Sequence, residues 1–147
     1  MRPIRHVKVI AASLAVAAGG AVAALSPSSP AVAFFSPPLF LDVQVESPGA
    51  LIARGAAVDV SVEVTCTSPQ AVVDVALTQR AGSEVARGFG SATVGCTGAR
   101  QRIVVTVTAV DGKAFRKQAA FAEATIFGCA ESVCGSERDT ETIDLRR

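Results

Sequence analysis

The regular alternation of apolar and polar residues between Val58 and Cys66 constrains the fold of this sequence more than any other feature. Four valines and Cys66 occupy alternate positions in this segment, with Asp, Ser, Glu and Thr between them. Successive side chains of a β-strand point to opposite faces, whereas a helix would spread the valines around its circumference. The segment is therefore predicted to be a strand with one buried face.

Seven segments alternate in this way or are rich in β-branched residues, and turn signals separate them. The predicted strands, A to G, cover residues 40–46, 57–66, 71–80, 84–90, 101–110, 116–128 and 138–146. Their number and spacing predict an all-β domain over residues 40–147. We expect a seven-stranded immunoglobulin-like antiparallel sandwich with two disulfides. A sandwich with other connections, or a partly closed barrel, is the alternative fold.

The dipeptide Asp111-Gly112 is a strong signal for a two-residue hairpin, which would pair strands E and F directly. In the immunoglobulin order, that connection instead crosses from one sheet to the other. We interpret it as a corner turn, with the direct hairpin as the alternative.

The apolar faces of these strands supply the predicted core, which consists mainly of small aliphatic side chains. Its members are Val58, Val60, Val62, Val64, Val73, Val75, Leu77, Ile103, Val105, Val107, Ala122, Ile126, Ile143 and Leu145. Burial of each Val or Leu contributes about 1.5–3 kcal/mol, so a core without Trp or Tyr has little surplus stability. Covalent cross-links would therefore matter in this fold.

Residues 1–33 have the organisation of a secretory signal peptide. A basic start precedes the uncharged apolar run Val9–Leu25, and the small-residue site Ala31-Val32-Ala33 follows. This order predicts cleavage after Ala33, or alternatively after Ala23, and an extended segment over residues 34–39. An N-terminal membrane anchor is the alternative, but the run is short and Ala-rich for a membrane span. We therefore expect a secreted, extracellular chain that keeps no membrane span.

Removal of residues 1–33 changes the chemistry that is available. Three of the 14 basic residues and the single His6 lie there, so the rest has 11 basic and 13 acidic residues, a net charge of −2. This balance excludes a basic nucleic-acid footprint. Without an imidazole, the chain cannot build a Ser-His or Cys-His catalytic pair. The sequence thus predicts a protein that is not an enzyme and that has no cofactor.

All four cysteines lie after the predicted cleavage site. They are Cys66, Cys96, Cys129 and Cys134, and an even number in an exported chain predicts two disulfides. A four-thiolate metal site would be expected to show C-x2-C spacing, which is absent, so no metal is predicted. In the predicted sandwich the end of strand B lies near the start of strand E, which favours a Cys66–Cys96 bridge. Strands F and G are also neighbours, and Cys129 and Cys134 flank their loop, which favours a Cys129–Cys134 bridge. The alternative is a Cys66–Cys129 bridge between strands B and F.

The composition and two short segments resemble known secreted proteins. The Ala, Val and Arg usage and the segment Val75-Ala76-Leu77-Thr78-Gln79-Arg80 resemble small secreted proteins of high-GC actinobacteria. The C-x4-C segment from Cys129 to Cys134 resembles one disulfide loop of the neocarzinostatin-type chromophore-carrying apoproteins. That resemblance implies a secreted immunoglobulin-like sandwich with two local disulfides. A Cys66–Cys96 bridge would enclose more residues than the corresponding bridge of that family, and no ligand residue carries over.

Candidate binding residues lie in two places. The loops that carry the cysteines contain one group, comprising Ser68, Gln70, Thr97, Arg100, Glu131, Ser132 and Val133. On predicted strand F, Phe121 and Phe127 lie at odd-numbered positions and Ala122 and Ile126 at even-numbered ones, so the two pairs point to opposite faces. Phe121 and Phe127 therefore line an outer groove of the F–G sheet or, if the parity is reversed, fill the core.

These features predict a secreted, non-enzymatic module with a binding or structural role at the cell surface or in the medium. Its partner is an unknown protein or a small apolar ligand, and not a nucleic acid. The alternative functions are a carrier of a small apolar ligand and a secreted protease inhibitor whose Glu131-Ser132-Val133 loop enters a protease.

Two charged sets have both a functional and a structural interpretation. Glu137, Asp139 and Glu141 recur every second residue and form either an acidic rail, with weak calcium binding, or a solvated strand face. The second set is a scattered solubilising group or an anion site. It consists of Arg100, Arg102, Arg116 and Lys117.

Overall fold

Eight β-strands make up most of residues 38–147, the part of the chain that the computed structural model describes. The predicted signal peptide and residues 34–37 lie outside the described residues. The strands are β1 Leu41–Val45, β2 Gly49–Ile52, β3 Ala57–Cys66, β4 Gln70–Ala81, β5 Glu84–Gly95, β6 Gln101–Ala109, β7 Ala119–Ala130 and β8 Val133–Arg146. A short 3-10 turn, Ala53–Gly55, follows β2.

Seven of these strands form one closed ring, so the prediction of an immunoglobulin-like sandwich is wrong. The order around the ring is β3-β2-β8-β7-β4-β5-β6, and β6 pairs again with β3. The first strand, β1, pairs with β3 on the same edge as β2, and its residues Leu41, Val43 and Val45 are buried in the core, but it has no second strand partner and does not take part in closing the ring. The fold is therefore a seven-stranded β-barrel with one additional strand.

Two short pairings close the ring. Strand β2 runs parallel to β8 through Gly49 opposite Leu145 and the next pair along. Strand β5 pairs with β4 along its whole length and also reaches β6 at two residue pairs. Gly90 permits this approach, because a Cβ atom there would lie 2.3 Å from the carbonyl oxygen of Thr106.

The Asp111-Gly112 segment is a corner connection and not a hairpin. Strand β6 pairs with β3 and β5, whereas β7 pairs with β4 and β8. The chain therefore crosses the end of the barrel between Ala109 and Ala119.

The predicted core occupies the barrel interior. All of its members are buried except Ile103, which is partly buried. Phe115 is also buried, although it shares its parity with the exposed Phe121. The parity does not extend to Phe115 because the residues just before Ala119 are not part of the β7 strand. The carbonyl oxygen of Phe115 lies 2.2 Å from the position that a Cβ atom of Gly55 would occupy. The φ of Gly55 is +88°.

A buried glutamine fastens the connection between β6 and β7. Gln79 donates from Nε2 to the carbonyl oxygens of Arg116 and Gln118, at 2.9 and 3.2 Å. Its Oε1 accepts the backbone N–H of Arg116 at 2.8 Å. Gln79 thus holds the crossing segment together with two backbone hydrogen bonds, from Phe115 to Gly55 and from Leu145 to Gln118.

Replacement of Gln79 by leucine should lower the free energy of unfolding by about 2–3 kcal/mol, because the backbone N–H of Arg116 loses its partner and the carbonyls of Arg116 and Gln118 each lose one of two hydrogen bonds. Urea denaturation followed by circular dichroism measures this loss. Gln44→Leu is the matched control, since Gln44 is exposed on β1. Equal midpoints for the two variants would contradict the role of Gln79.

Candidate functional site

Both disulfides lie at the same end of the barrel, which we call the disulfide pole. Cys66 ends β3 and is bonded to Cys96, just after β5, while Cys129 and Cys134 face each other across the β7–β8 hairpin. This is the pairing that the sequence favours. The two bridges use all four cysteines of the chain, so no thiol is free for nucleophilic chemistry.

A groove of about 610 Å³ opens at the disulfide pole, between residues 38–39, the β3–β4 loop and the β7–β8 turn. It is lined by Pro38, Leu39, Thr67, Pro69, Ala130, Glu131 and Val133. Five of these seven side chains are apolar, and Thr67 and Glu131 supply the polar groups. The groove therefore suits an apolar group with one or two polar contacts at its edge.

Three hydrogen bonds to Thr67 hold one wall of the groove. Its hydroxyl accepts the backbone N–H of Phe40 at 2.8 Å and donates to the carbonyl of Pro38 at 2.9 Å. Its own N–H donates to the carbonyl of Phe40 at 3.1 Å. Residues 38–40 are thereby fastened to the β3–β4 loop just ahead of β1.

The other wall is the tight turn of the β7–β8 hairpin. Only Glu131 and Ser132 lie between the paired residues Ala130 and Val133, and Glu131 adopts a left-handed φ of 54°. The Cys129–Cys134 bridge crosses the hairpin directly behind this turn. One wall is thus fixed by the hydrogen bonds of Thr67 and the other by a disulfide.

Three other residues that were predicted to bind at this pole do not line the groove. Ser68 is buried, with Oγ 3.2 Å from Cys96 Sγ, so it packs beneath the groove and is not accessible to a ligand. Thr97 accepts a hydrogen bond from Ala99 within its own loop, and Arg100 forms an ion pair with Glu63 at 3.1 Å. Neither is among the residues that line the groove.

Of the predicted pole residues, Glu131 and Val133 line the groove. Ser132 is exposed at the tip of the turn, and Gln70 is exposed where β4 begins. Sequence reasoning missed the opposite wall, although the proline-rich stretch ending in Pro38-Leu39 was a usable signal.

Phe121 and Phe127 point outward, as their parity against Ala122 and Ile126 predicts. Their side chains are 48% and 49% exposed, and Phe89 on β5 is 51% exposed. They stand on the outer face of the four neighbouring strands β5, β4, β7 and β8, which we call the aromatic face.

The two charged sets do not form sites. Asp139 accepts the backbone N–H of Val45 at 2.8 Å and so ties β1 to β8, and no metal-binding cluster occurs within residues 38–147. The hydrogen bond and charge of Glu46 raise the pKa of the Arg102 guanidinium. Arg116 and Lys117 line a separate cleft of about 260 Å³, away from Arg100 and Arg102.

Comparison with known proteins gives little further information. No protein-family model and no curated protein matches the chain. Among solved structures, the major subunit of aggregative adherence fimbriae type I from Escherichia coli is similar at 12% identity and a TM-score of 0.39. That alignment covers 75% of this chain and 95% of the fimbrial subunit, and a likeness of this degree carries no inference about function. No helix within residues 38–147 is long and apolar enough to cross a membrane.

Proposed function

We propose that this chain is an exported, non-enzymatic binding module that receives an apolar group of its ligand in the groove at the disulfide pole. The groove itself carries the proposal. Its volume of about 610 Å³ lies within the range of small-molecule pockets, about 300–1,000 Å³, and its walls are mostly apolar. Walls fixed by a disulfide and by the Thr67 hydrogen bonds lose little freedom when a ligand binds, which favours affinity.

The chemistry of the remaining chain supports a non-enzymatic role. The only histidine of the sequence is His6, and every cysteine is in a disulfide. Glu131 is the one ionisable side chain among the residues that line the groove, so the groove does not contain a pair of acid and base groups.

The two disulfides also support export. Disulfides persist in oxidising compartments and are rare in the cytosol. Together with the predicted signal peptide, they favour a role at the cell surface or in the medium.

A carrier of a small apolar ligand is a second candidate, because the groove volume is large enough for a whole small molecule. A partner protein would insert only a side chain. Mass spectrometry of organic extracts from the natively purified protein separates the two, since only a carrier retains a co-purifying small molecule.

The geometry of the β7–β8 turn disfavours the protease-inhibitor alternative. Proteins commonly recognise peptides as extended strands several residues long. Here only Glu131 and Ser132 lie between the last paired residues of the two strands, and their neighbours are held in the hairpin.

Substitution of a groove residue by a charged residue should weaken binding of an apolar fluorescent probe, anilinonaphthalene sulfonate, tenfold or more. Val133→Asp places a carboxylate in the apolar lining, where a bound probe would desolvate it and where its charge would repel the sulfonate of the probe. Val104→Asp is the matched control, because Val104 is 57% exposed on β6, outside the groove, and Val133 is 60% exposed. Fluorescence titration gives the Kd of each variant. Equal losses for both variants, or no saturable probe binding by the native protein, would contradict the proposal.

A further inference from the structure

Basic side chains are concentrated at the end of the barrel opposite the disulfide pole, which we call the basic pole. It is formed by segments 53–56, 80–87, 110–118 and 144–147. These segments contain eight basic and three acidic side chains, a net charge of +5, whereas the rest of residues 38–147 has three basic and ten acidic side chains, a net charge of −7. This separation gives the basic pole a positive potential that attracts anions.

A cleft of about 260 Å³ lies within the basic pole. Its lining contains four basic side chains and no acidic one; the basic residues are Arg54, Arg116, Lys117 and Arg147. None of the four forms an ion pair within residues 38–147, although five of the other seven basic residues there do. Arg116 and Lys117 thus meet two cations that lie outside the predicted basic set, and the cleft gathers charge that no carboxylate neutralises.

The acidic side chains of the basic pole do not compensate this charge. Asp144 forms an ion pair with Arg146 at 3.3 Å, and Glu84 forms one with Lys113. Asp144 lines a neighbouring depression of about 400 Å³, but neither it, Glu84 nor Asp111 lines the cleft. A cleft with one sign of charge on its walls focuses the field on the ligand that enters it.

The backbone that carries these cations is held in place before any ligand binds. The N–H of Phe115 donates to the carbonyl of Gly55 at 2.8 Å, which joins the turn with Arg54 to the segment with Arg116. The side chain of Gln79 accepts the N–H of Arg116 at 2.8 Å. Arg54 has a left-handed φ of 58°, which is uncommon outside glycine and is often found at functional sites. Only the ends of the basic side chains would have to be ordered by a ligand, which favours affinity.

We propose that this cleft, with three guanidinium groups and one ammonium group, binds a phosphomonoester. Such a group carries a charge close to −2 at neutral pH and has three acceptor oxygens, so several cations can share it. Guanidinium groups bind phosphate oxygens in pairs, which suits a site that is rich in arginine. The cleft is smaller than the pockets that enclose whole small molecules, about 300–1,000 Å³. It therefore takes the phosphate group and leaves the rest of the ligand outside.

Isothermal titration calorimetry of the disulfide-bonded protein with glycerol 3-phosphate tests the proposal, at low ionic strength and about pH 7.5, where the monoester is doubly charged. This probe has no apolar group for the groove at the disulfide pole. It should bind at least tenfold more tightly than dimethyl phosphate, a diester with a single charge. Arg116→Gln/Lys117→Gln removes half of the cations and should weaken binding tenfold or more. Arg54→Asn should also weaken it, because asparagine tolerates the left-handed turn and only the charge is lost.

Arg80→Gln/Arg87→Gln is the matched control. Both arginines are exposed at the basic pole and form no ion pair, but neither lines the cleft, so this variant loses the same charge. It should bind glycerol 3-phosphate like the native protein. Val133→Asp should do so too, which separates failure of the groove from failure of this cleft. Circular dichroism shows whether each variant is folded.

Two results would overturn the proposal. If both double variants lose the same affinity, the anion is attracted by the overall charge of the basic pole and not by the cleft. If the native protein binds glycerol 3-phosphate no better than dimethyl phosphate, the cleft does not recognise a phosphomonoester.

Discussion

Replacing Phe115 by alanine should lower the free energy of unfolding by about 3–5 kcal/mol, the range for loss of a fully buried aromatic ring. The ring is 2% exposed at the end of the barrel opposite the disulfide pole, where it packs against Gly88. Its backbone N–H donates to the carbonyl of Gly55 at 2.8 Å, and Gln79 holds the following residue. Because these bonds fix the surrounding backbone, the cavity left by the ring cannot collapse.

Chemical denaturation with a common m-value measures this loss. Phe40→Ala is the matched control and should change the unfolding free energy by less than about 1 kcal/mol, because the Phe40 ring is mostly in solvent. If the two alanine variants unfold at the same denaturant concentration, Phe115 does not anchor the crossing segment.

Removal of the Cys66–Cys96 bridge should have the other large effect on stability. The cysteines are 30 residues apart, so the cross-link restricts a long loop of the unfolded chain. The chain-entropy model gives about 3.5 kcal/mol for a loop of this length and about 2 kcal/mol for the short Cys129–Cys134 loop. Cys66 is also fully buried, which adds a packing loss when it is replaced.

The double variants Cys66→Ala/Cys96→Ala and Cys129→Ala/Cys134→Ala provide the comparison, each retaining the other bridge. Guanidinium denaturation should give the lower midpoint for the first variant. The reverse order would show that loop entropy does not govern the contribution of these bridges.

The long strands could be predicted because their signal is local. In β3 the alternation of apolar and polar residues shows which face of the strand each side chain occupies. The same reasoning gave the predicted core residues, and all of them except Ile103 are buried. A partly closed barrel was the alternative fold, but the sequence could not favour it over the sandwich. Closure depends on β2, a four-residue strand without alternation, and on its parallel pairing with a strand about 95 residues away. No local pattern records such a pairing.

The candidate site was predictable only in part for the same reason. The hairpin wall follows from the spacing of Cys129 and Cys134. The opposite wall depends on Thr67 bonding to residues 27 and 29 positions earlier, which no spacing reveals. The burial of Phe115 could not be predicted either. The rule that alternate residues share a face applies only within a strand, and Phe115 lies before β7 begins.

The position of both disulfides at one end of the barrel has a consequence for the groove. The Cys129–Cys134 bridge lies directly behind the β7–β8 turn, and Cys66 directly precedes the groove residue Thr67. Reduction of the two bridges would therefore loosen both walls of the groove, and ligand affinity should depend on the redox state of the surroundings.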